Sequence, residues 1–202
     1  MAWIKGGAII KNDLPYRIYG PANIQNNIIS IVDNSVDTTG VVPLVNTSTI
    51  LHPKWNEPFE IGIKCKFSAT YGKQEIMGSR TNGYYHNIGM EIADNALTCF
   101  ISEDGGSWKY YVRVTLADLN YIDTWLYINL SYDGTNITIT CSDGENSVEQ
   151  TNAVSTIYYS TSYDMIFGSM NGNSSLVAKY MTLDLNHTYI KDSSGNIIWG
   201  SI

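Results

Sequence analysis

Hydrophobic and polar residues alternate with a period of two along much of the chain. The clearest run is FEIGIKCKF, Phe59–Phe67. Phe59, Ile61, Ile63, Cys65 and Phe67 share one face, and Glu60, Gly62, Lys64 and Lys66 the other. Successive side chains of an extended chain point to opposite sides, so this pattern predicts a strand with one buried and one wet face. Within residues 125–144, Leu126, Ile128, Leu130 and Tyr132 alternate with Tyr127, Asn129 and Ser131. Ile137, Ile139 and Cys141 then alternate with Thr138 and Thr140. Asp133-Gly134-Thr135-Asn136 between them is a turn sequence, which predicts an antiparallel hairpin. The expected core therefore includes Ile61, Ile63, Phe67, Ile128, Leu130 and Ile139.

The same reading predicts strands near 75–79, 87–92, 96–102 and 110–115, with a Gly-rich turn at 103–108 between the last two. More are expected at 163–169, 179–185, 188–191 and 196–199, and upstream at 23–32 and 47–51. Residues 115–125 alone have a helical look, and they are too short and too rich in Asn and Asp to exceed a turn. Many short strands punctuated by turns predict an all-β fold, an antiparallel two-sheet jelly-roll sandwich. Residues 1–22 differ from the rest. Gly6-Gly7, Pro15, Gly20 and Pro21 interrupt them, and Trp3, Ile9, Ile10 and Tyr16 look exposed. They are read as an N-terminal arm or edge segment, with 23–202 as the sandwich. Those four side chains are the expected contacts to an identical subunit or another protein.

Composition agrees: Ile, Thr, Tyr and Val, which suit a pleated half-buried surface, are common, and good helix formers are few. The net charge is −7 and no Lys/Arg cluster exists, so neither duplex nucleic acid nor an anionic membrane surface is an expected partner. No apolar run approaches the roughly 20 residues that span a bilayer. The first 20 residues lack the pattern of a signal peptide. Export is thus expected through an assembled particle, lysis or fusion. Cys65, Cys99 and Cys141 have no CxxC spacing and sit in strand patterns, so they are expected to be buried thiols.

The ordered series of strands resembles the concanavalin A-like lectin/glucanase superfamily, in its laminin G-like branch. PFEIGIKCKF looks like the strand after the opening loop. QEIMGSRTNGYYHNIGMEIADNALTCFISEDGGSWKYYV is similar to that branch's Gly-Ser strand, x-Ile-Gly strand and strand ending in a Gly-rich turn. TWLYINLSYDGTNITIT looks like its hairpin, with Trp opening a strand closed by Tyr-Asp-Gly. MTLDLNHTYIKDSSGNIIWG is similar to the closing strands of such domains in bacteriophage structural proteins. The resemblance runs from Ile24 to Ile202 and implies a lectin, a hydrolase or a structural module.

Hydrolases of this superfamily carry Glu-x-Asp-x-x-Glu on a strand, whose alternate acids reach one sugar from one face. Glu91-Ile92-Ala93 lacks the second acid and Asp143-Gly144-Glu145 the last, so no enzyme of that type is expected. Carboxylates from different strands could still converge. His52, His86 and His187 show no metal spacing. No cofactor is expected. The resemblance admits calcium on loop oxygens, with the acids at 103–104 and 143–145 as candidates, although turn acids are the preferred reading. Aromatic rings stack on the apolar C–H faces of sugars while polar neighbours take the hydroxyls. Tyr84, Tyr85, Trp108, Tyr111 and Arg113 lie in or beside turns and form the expected carbohydrate site.

The expected function is a non-enzymatic virion structural protein, a tail, fibre or head-decoration subunit, with a lectin-like domain directed at host-surface glycan. A free-standing carbohydrate-binding module is the alternative, and the missing acid triplet disfavours a glycoside hydrolase.

Overall fold

A computed structural model describes residues 7–11, 14–19, 22–26, 28–31, 44–47, 53–67, 74–80, 86–159, 166–168 and 181–200. The strands are β1 (Gly7–Lys11), β2 (Leu14–Tyr19), β3 (Ala22–Gln25), β4 (Ile28–Ile31), β5 (Leu44–Thr47) and β6 (Phe59–Phe67). They continue with β7 (Gln74–Arg80), β8 (His86–Ala93), β9 (Ala96–Ile101), β10 (Tyr110–Thr115), β11 (Leu126–Tyr132) and β12 (Asn136–Ser142). β13 (Ser147–Ala153), β14 (Ile166–Phe167), β15 (Met181–Asp184), β16 (Tyr189–Lys191) and β17 (Ile197–Gly200) complete the set. A 3-10 turn, Leu185–His187, follows β15.

The strands form two sheets, and every ladder between them is antiparallel. The first has the order β1-β2-β5-β14-β7-β8-β9-β10. The second runs β13-β12-β11-β6-β15-β4-β3, with β16 also on β6 and β17 on β16. The alternation of β6, β11 and β12 places Ile61, Ile63, Phe67, Ile128, Leu130 and Ile139 in the buried core. Ile88, Met90, Leu97, Cys99 and Val112 bury the inner face of the first sheet against them. The fold is an antiparallel β-sandwich, as the patterning predicts. All three cysteines are buried free thiols.

A buried amide links several of these parts. Asn87 on β8 accepts from Trp55 Nε1 (3.0 Å) and Ser79 Oγ (3.0 Å) and donates to the Tyr158 carbonyl (2.9 Å). A core this apolar tolerates such a group because its hydrogen-bonding capacity is taken up.

Three departures from the patterning have physical causes. Residues 23–32 do not form one strand: β3 and β4 are a hairpin. Asn26, at φ 53, turns the chain in the left-handed region that Asn tolerates better than most residues. β13, SVEQTNA, shows no alternation, yet it pairs with β12 across seven residues as an outer strand. Only Val148 of it packs on the core. β5 lies at Leu44–Thr47, upstream of the expected centre, and much of 163–169 falls outside the described residues. In the first 22 residues, β1 and β2 pair as a hairpin and β2 pairs with β5, so the segment extends one edge of the first sheet.

Candidate functional site on the outer faces of the sheets

The first candidate surface is built on β9, β10 and the turn between them. Along β10, Val112 and Val114 turn inward, which leaves Tyr111 and Arg113 on the outer face. Tyr111 is 61% exposed, the most exposed large hydrophobic residue among those described. The register sets Tyr111 opposite Phe100 and Arg113 opposite Thr98. The Phe100 ring in turn packs on Trp108 at 5.6 Å between centroids. Trp108, Phe100 and Tyr111 therefore make an aromatic row, with Arg113 one pleat further along.

The turn that delivers Trp108 is tightly tied. Asp104 Oδ1 accepts from the Gly106 N–H (2.8 Å), the Ser107 N–H (3.2 Å) and Ser102 Oγ (3.2 Å). Gly105 has φ 78, and a Cβ there would strike the Tyr158 ring at 2.7 Å, so the position needs glycine. Glu103 bonds Lys109 and Ser155. Those bonds, the Lys109 ammonium first among them, hold the Glu103 carboxyl down at about 2. The sheet edges meet here too: Asn152 of β13 donates to the Tyr111 carbonyl at 2.8 Å.

Of the five expected carbohydrate contacts, the structure brings Trp108, Tyr111 and Arg113 onto one surface, and Tyr84 and Tyr85 lie outside the described residues. Phe100 was missing from that expectation. Its signal was present, because it stands out of phase with the inward-facing Leu97, Cys99 and Ile101. Of the expected partner contacts, Trp3 lies outside the described residues. Ile9, Ile10 and Tyr16 have described backbone in β1 and β2 only.

Two carboxylates from different strands do converge. Glu75 of β7 stands opposite Glu91 of β8, in a row that continues through Thr98 to Arg113. Glu75 is 1% and Glu91 7% exposed. A glycosidase pair must flank a sugar arriving from solvent, and these two side chains are closed off from it. Of the loop acids at 103–104 and 143–145, Asp104 and Asp143 accept backbone N–H groups of their own turns. Asp143 accepts from the N–H groups of Asn146, Glu145 and Asn120, which hold its carboxyl down at about 2.

A second aromatic surface lies on the outer face of the other sheet. Trp125 and Tyr127 project on the side away from Leu126 and Ile128, and Lys64 of β6 stands opposite Tyr127. Lys64 Nζ lies 5.2 Å from the Trp125 centroid and 5.3 Å from that of Tyr127. It also pairs with Asp184 Oδ2 at 3.1 Å, which His187 Nδ1 approaches at 2.9 Å. Burial works against the Asp184 charge, but the bonds from His187, Lys64 and the Asn186 N–H prevail and lower its titration.

No family model matches the chain, and no curated protein matches it. Solved structures do. The chain is similar to the binding domain of botulinum neurotoxin DC in complex with rat synaptotagmin II, with TM-score 0.62 and 14% identity over 99% of this chain and 49% of that one. It is similar to the ligand binding domain of botulinum neurotoxin serotype D in complex with N-acetylneuraminic acid, with TM-score 0.61 and 11% identity over 93% of this chain and 47% of that one. A third is the DC binding domain in complex with SialylT, with TM-score 0.59 and 13% identity over 94% of this chain and 44% of that one. The chain spans about half the length of the solved structures it matches. At these identities the likeness shows the β-sandwich fold.

Proposed function

We propose that this chain is a non-catalytic glycan-binding sandwich, and that it serves in a virion as a tail, fibre or head-decoration subunit. The observation that carries the glycan reading is the row Trp108–Phe100–Tyr111 beside Arg113, in which half-buried Trp108 and Phe100 lead to exposed Tyr111 and a cation stands at the end. Such a strip can stack on a sugar's apolar face while the guanidinium and neighbouring hydroxyls take its oxygens. Tyr84 and Tyr85 complete this proposed site. The similar structures solved with N-acetylneuraminic acid and SialylT support a saccharide as the ligand class. The virion role is supported by the closing sequence 181–200, which resembles phage structural proteins. In that role Trp3, Ile9, Ile10 and Tyr16 contact an identical subunit or a neighbouring virion protein.

A glycan array tests the first part. The wild type binds a defined set of saccharides, and Tyr111→Ala loses them while keeping its circular dichroism spectrum. An array with no binders defeats the reading. Non-catalysis is tested by incubation with β-glucans and other polysaccharides, which should release no reducing ends. Turnover abolished by Glu91→Gln would overturn it.

A further inference from the structure

We propose that the outer face of the nine-stranded sheet, around Lys64, Lys66, Trp125 and Tyr127, binds a saccharide that carries a carboxylate. The proposal rests on the glycan-binding reading above and adds a second surface, on the opposite side of the sandwich from the Tyr111 row. Trp125 and Tyr127 are two residues apart on an outward face, and Tyr127 is 47% exposed. Lys64 and Lys66 are likewise two apart on the outward face of β6. Both ammonium groups lie near the same indole, Lys64 at 5.2 Å and Lys66 at 5.5 Å from its centroid. The chain has 12 basic residues against 19 acidic ones, so two cations over one ring run against its average surface.

The two lysines are differently engaged. Lys64 has a 14% exposed side chain tied to Asp184, which keeps it against the rings. Among the described residues Lys66 makes no ion pair, so its charge remains for an anion from outside. Ser142 lies opposite Tyr127, and Thr140 opposite Asn129, which puts hydroxyl and amide groups on the same face. A sugar ring laid on Tyr127 and Trp125 uses its C–H face there, its hydroxyls reach these polar groups, and its carboxylate meets Lys66 in a charge-assisted hydrogen bond. A neutral sugar would leave that cation unused. The net charge of −7 works against extended polyanions, whose charges reach beyond the patch, and favours a short saccharide with a single carboxylate in contact.

Calorimetric titration tests this with sialyllactose and a short oligogalacturonate as acidic probes and lactose as the neutral one. Wild type, Lys66→Ala, Lys66→Arg, Tyr127→Ala and Tyr111→Ala are compared, each with its fold verified by circular dichroism. Loss of one charge-assisted bond predicts that Lys66→Ala weakens the acidic probes about tenfold. Lys66→Arg retains them, Tyr127→Ala abolishes them, and added salt weakens them. Wild-type affinity in both Lys66→Ala and Tyr127→Ala overturns the proposal. If Tyr111→Ala then loses binding, the glycan reading survives without it. Equal affinity for lactose and sialyllactose overturns the preference for a carboxylate. A wild type that binds no probe or array saccharide sinks both readings.

Discussion

The middle of the nine-stranded sheet depends on a glycine with an aromatic ring over it. Tyr189 stands opposite Gly62, and a Cβ on Gly62 would collide with the Tyr189 ring. The phenol donates to Glu60 Oε1 at 2.5 Å, where Lys191 (3.1 Å) and Asn129 (3.1 Å) also arrive. Partial burial, then the Glu60 hydrogen bond and charge, push the phenol up to about 12. Gly62→Ala must displace the ring or the strand, so it should cost about 1–3 kcal/mol, as overpacking does. Urea denaturation reads that loss, and an unchanged midpoint would show that the ring moves freely. Beneath it, Ile63 is 2% exposed between the sheets. Ile63→Ala removes buried methyl groups and leaves a cavity, so a loss of about 2–5 kcal/mol is expected in the same assay.

At the scale of elements, the hairpins are closed by aspartates that cap their own turns. Asp133 accepts from the Thr135 N–H (2.7 Å) and Asn136 N–H (2.6 Å) between β11 and β12. Asp143 does the same between β12 and β13, and Asp192 between β16 and β17. These bonds favour the charged form, so all three carboxyls titrate below their ordinary value. A folded value below the unfolded one means that the stabilisation is complete above the unfolded value, roughly pH 4. It disappears as pH falls towards about 2, where Asp143 itself titrates. Urea midpoints should therefore drop between pH 5 and pH 2, by less in the Asp133→Asn/Asp143→Asn double variant than in the wild type. An equal drop in both would assign the acid sensitivity elsewhere.

On the scale of the whole molecule, the sandwich manages its edges unequally. At one side β10 and β13 are tied across the sheets by Asn152. At the other, β1 ends the first sheet among the described residues and presents an outer ladder edge, a natural template for another chain. Because β2 keeps its pairing with β5, removal of residues 1–11 should leave a folded sandwich. If the N-terminal segment contacts a second subunit, light scattering should show the truncated chain as a monomer and the intact chain as a larger assembly. A monomer in both cases removes the partner role, and loss of the β-sheet spectrum on truncation makes β1 part of the fold's own support.

Alternation and turn chemistry are local, so the sequence by itself determined β6, β11 and β12, the faces they bury and the hairpin at Asp133. It determined likewise that Tyr111 and Arg113 look outward, since Val112 and Val114 between them must look inward. Tertiary structure decided what depends on pairing and register between strands. Ladder pairing with β12 makes a strand of β13, although both of its faces are polar, because backbone bonds reward it without a hydrophobic pattern. Ladder registers likewise set Phe100 beside Tyr111 and Glu75 opposite Glu91, and, between distant segments, Lys64 opposite Tyr127. A one-residue slip would turn each of these side chains to the other face. The single strand expected at 23–32 became a hairpin because β4 found β15 as its partner and Asn26 could take a left-handed turn.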